Sequence, residues 1–240
     1  MKLKKIVSLA LAGVMAMSML AGCAEANANS VPTTPSTPVA TEGGKSEVFN
    51  SRLSSLAQYK INMSDDADLS ADLNTAIENL GSATIIDFTT AIRAASNIRT
   101  VVNFDTSYFL MNNMGIFNNV PAGDLSVIAG EMGAVSQSTA FAQLVPAYNE
   151  FDDETVVMLY AVDGTLSADA AVKQVADEVN WEIEQLRIDD DNSADINEGV
   201  DATTLHYEYN GSVSVASRYL EANHGIGMHI VAVQITRTVA

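Results

Sequence analysis

Cysteine is nearly absent: Cys23 is the only one, so no disulfide can close within the chain and no cysteine-based metal cluster is available. Tryptophan also occurs once, and Phe, Trp and Tyr together make up 6% of the 240 residues. A core of this composition has to be built from aliphatic side chains, many of them alanine, which the 48% apolar fraction supplies. Cations are scarce as well, with 12 Lys and Arg against 30 Asp and Glu and a formal charge of −18. A surface of that sign repels phosphate backbones, which argues against nucleic acid as a partner. After residue 22 no run of 18 consecutive apolar residues occurs, so that part offers no membrane-spanning helix. Missing too are Gly-x-Ser-x-Gly, His-Glu-x-x-His, Ser-x-x-Lys and the phosphate-binding Gly-x-x-x-x-Gly-Lys.

What is present begins at the N-terminus. Met1-Lys2-Leu3-Lys4-Lys5 is basic, and Ile6 to Met19 is apolar apart from Ser8, Gly13 and Ser18. That run is short for a bilayer span and suits the apolar region of an export signal. It leads into Leu20-Ala21-Gly22-Cys23, which resembles the lipobox of bacterial lipoproteins at all four positions. The resemblance implies a diacylglyceryl thioether on Cys23 and cleavage before it. Loss of Lys2, Lys4 and Lys5 would take the formal charge from −18 to −21. Two acyl chains give lasting attachment where one does not, so the implied location is the outer face of the cytoplasmic membrane or the cell surface.

Residues 1–22 are therefore expected to be a signal peptide. Residues 23–46 are expected to be a lipidated cysteine and a disordered tether, because Pro32, Pro35 and Pro38 fall there among Thr and Ser without apolar periodicity. Residues 47–240 are expected to form one extracytoplasmic domain, with a sub-boundary near 150.

Within that domain Val48, Leu53, Leu56 and Tyr59 suggest a short helix. Leu69, Leu73, Ile77 and Leu80 suggest a second, with acidic residues at its start and Gly81 as its C-terminal cap. Ile85, Phe88, Ile92, Ala95 and Val102 suggest a third, and Leu125 to Tyr148 is helix-like but weakened by Gly130, Gly133 and Pro146. Residues 104–117 stay ambiguous between strand and helix, and residues 118–124, NNVPAGD, read as a loop.

Thr155–Val162 is a continuous apolar run that reads as a buried strand, and Asp163-Gly164 turns the chain. Ser167 then caps a helix whose stripe is Val172, Val175, Val179, Ile183 and Leu186. Alternation in Leu205–Tyr209 and Ser212–Val215 around Asn210-Gly211 predicts a hairpin that pairs Tyr207 with Val213 and Leu205 with Val215. A last strand, Ile226–Val239, is apolar on both faces and so belongs in the middle of a sheet. The fold expected is α+β: a mainly helical N-terminal half, then a β-α-β-β-β, mostly antiparallel sheet with a helix packed on one face.

Few residues suggest chemistry. His206 shares a strand face with Glu208 and Ser214, and a histidine beside a carboxylate is the arrangement of a general base or a metal ligand. His224 and His229 flank Gly225-Ile226-Gly227 and would need a bend to meet on one metal. Asp189, Asp191, Ser193, Asp195 and Asn197 fall at alternate positions of a calcium-loop pattern, with Ala194 in place of its glycine and Val200 in place of its closing carboxylate. Calcium is the one cofactor these residues suggest. Tyr207, Tyr209, Tyr219 and Trp181 are read as packing residues, with a ligand surface as the alternative. The function expected is a non-catalytic, lipid-anchored domain that binds a protein or glycan outside the membrane. The alternatives are an extracellular hydrolase of cell-wall or other polymer, carried by His206 with Glu208 or by an acidic pair, and a small solute-binding lipoprotein of a transporter.

Overall fold

The computed structural model describes residues 40–42, 45–78, 80–82, 84–86, 98–101, 122–145, 152–190, 205–220 and 226–239. All of them lie in one compact unit, Ser36–Ala240. In chain order the elements are β1 (Ala40–Glu42), α1 (Ser46–Asn50), α2 (Ser55–Lys60), β2 (Ile61–Ser64), α3 (Ala67–Ile77) and β3 (Ile98–Thr100). They continue with α4 (Ala122–Glu131), α5 (Gln137–Leu144), β4 (Glu154–Asp163), α6 (Ala168–Gln185), β5 (Asp189–Asp190), β6 (Leu205–Tyr219) and β7 (Gly227–Val239). The fold is α+β, helical in its N-terminal part and then dominated by the sheet.

β7 occupies the centre, antiparallel to β4 on one side and to β6 on the other. Its position follows from its two apolar faces, since Val231, Val233 and Ile235 point one way and Ile230 and Ala232 the other. β3 lies on the far edge of β4. The outer edge of β6 is covered in pieces: β5 pairs antiparallel at His206 and Leu205, β2 parallel from Tyr209 to Ser212, and β1 antiparallel from Val215 to Ser217. The sheet is thus mixed at this edge alone. β1 also moves the start of the folded domain to Ala40, inside the segment expected to be tether, because the open backbone groups of β6 offer hydrogen bonds that a free tether lacks.

Helices cover both faces. Against the first lie α1, α2, α5 and α6, whose Phe49, Ala57, Phe141, Val172, Val175, Val179 and Ile183 meet Val156, Met158, Tyr160, Val213, Val231 and Val233. Each fully buried aliphatic side chain contributes about 1.5–3 kcal/mol. On the second face α3 and α4 bring Leu69, Leu73, Ile77, Leu125 and Ile128 onto Leu159, Ala161, Ala216, Ile230 and Ala232. Small residues on the strands let α3 approach closely, and Ser70 Oγ meets Ser214 Oγ at 3.0 Å.

The strand Thr155–Val162, the helix capped by Ser167 and the central last strand stand as expected, and Ala170 N–H donates to Ser167 Oγ at 3.2 Å. The second helix also stands, capped at Asp66, whose carboxylate accepts from Asp68 N–H at 2.8 Å and Leu69 N–H at 3.1 Å.

Four readings change. The first helix is two short ones, and Leu56 and Tyr59 are exposed while Phe49, Leu53 and Ala57 are buried. Gly81 does not cap α3 in the left-handed region. Its N–H donates to Asp124 Oδ2 at 3.1 Å. The third helix does not reach Val102, because Ile98–Thr100 is drawn out as β3 by pairing with β4. The helix expected over Leu125–Tyr148 breaks at Gly133, whose φ of 60° ends α4 in a glycine cap. Ala134 N–H there donates to Ala129 O, and Gly133 N–H to Gly130 O.

The Asn210-Gly211 hairpin does not form. β6 runs unbroken, and Tyr207 pairs with Val239 instead of Val213, while Leu205 pairs with Asp190 instead of Val215. Partners on both edges, β7 and β2, hold Asn210 and Gly211 extended, and that pairing outweighs the local turn preference. A side chain at 211 would require the Met63 thioether to move. A Cβ there would sit 2.3 Å from Met63 Sδ.

A polar groove beside the outer edge of β6

The inward face of the sheet ends in a polar cluster at each extremity. At one end His229 is fully buried between Ser217 and Leu166. Its Nε2 faces Leu166 O at 2.8 Å, an acceptor only, so Nε2 carries a proton, and Ser217 Oγ meets Nδ1 at 2.7 Å. Both ring nitrogens are committed to protein partners, so His229 does not offer a nitrogen to a metal shared with His224. His224 itself lies outside the described residues.

At the other end Arg237 is wholly buried and donates to Gln143 O, Leu144 O and Asp152 O at 3.0–3.2 Å. Two of these are carbonyls left open at the C-terminus of α5, where a cation is also favoured by the helix dipole. The Tyr207 ring lies 5.6 Å from the guanidinium carbon. Tyr209 donates to Arg187 O at 2.8 Å, and burial pushes its hydroxyl up to about 12 against the opposing pull of Arg237. Tyr207 and Tyr209 are therefore packing residues, whereas Trp181 is 62% exposed on α6.

Of the remaining candidates, His206 and Glu208 sit on the exposed side. His206 Nδ1 meets Asp189 Oδ1 at 2.8 Å, with both side chains more than half exposed. Glu208 follows two residues on along the same strand face, exposed and without a side-chain partner among the described residues. Ser214 lies buried further along β6, bonded to Ser70. Asp189 is thus a strand residue, in β5, whose carboxylate meets His206. Asp191, Ser193, Asp195 and Asn197 lie outside the described residues, as do Leu20, Ala21, Gly22 and Cys23. Among the described residues no three His, Cys, Asp or Glu side chains converge as a metal site would need.

Between β5 and β2 the patched edge of β6 leaves a groove of about 350 Å³, walled by residues 58–62 on one side and by Ile188 with residues 206–210 on the other. It adjoins a second hollow of about 450 Å³, shared through Gln58, Ile61 and Asn62 and bounded by Glu47, Asn50 and Ser51. Both volumes lie in the usual range of roughly 300–1,000 Å³ for small-molecule sites.

The walls are braced from behind. Gln58 Nε2 donates to Asn50 O at 2.8 Å and Leu53 O at 3.1 Å, and Asn50 Nδ2 donates to Met63 O at 2.8 Å. Lys60 is drawn away toward the end of α6, donating to Leu186 O at 2.7 Å and to Glu184 O. Ser54, which caps α2, donates to Glu184. That bond, with help from Asn180 and Lys60, holds the Glu184 carboxyl below its ordinary range.

His206 and Glu208 were among the sequence candidates, but the facing wall, residues 58–62, and Asn210 escaped sequence reasoning because the two walls are far apart in the chain. One local clue existed: Asn210 is a poor strand former set at the middle of an alternating segment. The class defined by this geometry is an α+β domain with a mixed sheet, helices on both faces and a polar groove at the sheet edge. No protein-family model, no curated protein and no solved structure matches the chain.

Proposed function

We propose that this chain is a lipid-anchored extracytoplasmic protein whose domain binds a ligand without transforming it. The Leu20-Ala21-Gly22-Cys23 lipobox supports the location. The observation that carries the binding role is the groove itself, with exposed side chains of Asn62, Glu208 and Asn210 that make no hydrogen bond within the described residues. Polar groups set out in this way lose little on meeting a ligand, because no internal bond has to break first. The histidines support the same reading. His229 is spent on structure, and His206 pairs with Asp189 in open solvent, with both side chains more than half exposed.

Location is tested by growing producing cells with an alkyne-tagged fatty acid. The chain is expected to take up the tag and to sediment with membranes, and Cys23→Ser is expected to lose both. A tagged, membrane-bound Cys23→Ser protein would overturn the anchor.

A further inference from the structure

We propose that the groove walled by residues 58–62 and 206–210 binds a neutral glycan, an assignment that rests on the non-catalytic binding role above. Three features of the groove converge on hydroxylated rings. First, Tyr59 stands 74% exposed at its rim, on a helix whose Ala57 is buried. An aromatic ring left in water offers a flat apolar face, which the C–H face of a sugar ring covers with little loss of freedom.

Second, Asn62 and Asn210 are register partners on adjacent strands, so their side chains stand on the same side of the sheet, and Glu208 lies two residues along. Two free amides and a carboxylate give planar donors and acceptors close together, the pattern that vicinal hydroxyls satisfy. The Oε1 of Gln58 and the Oδ1 of Asn50 are further acceptors on groups whose amide nitrogens are already bonded.

Third, charge selects against other polymers. Glu47 and Glu208 line the two hollows, Lys60 is tied to main-chain carbonyls, and His206 is matched by Asp189. An anionic chain would meet repulsion, and among the described residues that line the groove no unpaired cation offsets it. A hydrophobic peptide would find one exposed aromatic and no deep apolar socket. The two hollows meet at Gln58, Ile61 and Asn62, which gives the site length and suits several linked rings.

The test is calorimetric titration of the full chain, in detergent, with four neutral hexaoses: chito-, cello-, malto- and β-1,3-gluco-hexaose. At least one is expected to bind saturably. Tyr59→Ala should weaken that binding more than about tenfold, Tyr59→Phe by less than about threefold, and Trp181→Ala, an exposed aromatic away from the groove, not at all. All these residues are exposed, so thermal unfolding should confirm that each variant folds. Failure of all four hexaoses at millimolar concentration overturns the proposal, and so does equal weakening by Trp181→Ala. If a lysine-rich decapeptide binds in their place, the glycan assignment falls and the binding role stands. Release of shorter sugars from a hexaose would instead leave the glycan assignment standing and overturn the non-catalytic reading.

Discussion

The two edges of β6 differ in kind. Its inner edge is zipped to β7 from Tyr207↔Val239 to Tyr219↔Gly227 without a break. Its outer edge is closed by three short pieces, β5, β2 and β1, drawn from distant parts of the chain. A continuous ladder fixes the fold, since every residue of it is supported by neighbours on both sides. A patched ladder leaves a gap at each join, and the gap between β5 and β2 is where unbonded polar side chains gather. Stability and recognition are thus divided between opposite sides of one strand.

The sharpest way to break this contrast is at the continuous side. Replacing Arg237 with Met should leave the carbonyls of Gln143, Leu144 and Asp152 buried without their donor, costing on the order of 3 kcal/mol in denaturant unfolding. A loss below about 0.5 kcal/mol would mean that the guanidinium is not needed there.

Gly164→Ala attacks the end of the β4–β7 ladder. A Cβ at this position would lie 2.4–2.7 Å from main-chain atoms of Gly227 and Met228. Backbone cannot swing aside as a side chain does, so a loss of about 2 kcal/mol is expected.

On the patched side the effects should be smaller. Ser54→Ala removes the cap of α2 and should cost about 1 kcal/mol. It also carries a pH signature. The folded carboxyl of Glu184 sits below its unfolded value, so its stabilisation is present at neutral pH and is lost as pH falls through the folded value. Without the Ser54 hydroxyl the folded carboxyl returns toward its unfolded value, so that loss should be smaller and complete at higher pH in acid-unfolding curves, and an unchanged acid limb would mean that Glu184 plays no part in it.

Smallest of all should be Thr41→Pro combined with Glu42→Pro. Loss of β1 pairing is expected to lower global stability by less than about 1 kcal/mol while freeing amides near Val215 and Ser217 for fast hydrogen exchange. Slow exchange that persists there would show that β1 and β6 are not separately stable.

Much of the continuous part was legible in the sequence. The stripe Val172–Leu186, the run Thr155–Val162 and the two-faced Ile230–Val233 each carry their environment in their own periodicity, because each buries a whole face or both. The pieces on the outer edge carry none. β1, β2 and β5 are two to four residues long, and what makes them strands is the open edge of a segment far along the chain. Asn210-Gly211 misled for the same reason in reverse: the dipeptide favours a turn alone, and only β2 and β7 together hold it straight. Arg237 was accessible in principle, as the one charged residue at an inward position of β7 between two threonines. The groove was not, because Tyr59 and Asn62 meet Glu208 and Asn210 only in three dimensions.

The position of β7 at the middle of the sheet bears on when the domain can form during synthesis. β4 bonds to β7, and β1, β2 and β5 all bond to β6, so every strand except β3 waits for residues 205–239. A ribosome that has made α6 has not yet made any strand that could close the sheet. Contacts of such long sequence separation slow the search for the native state. The nascent chain therefore cannot complete its sheet until residues 205–239 emerge.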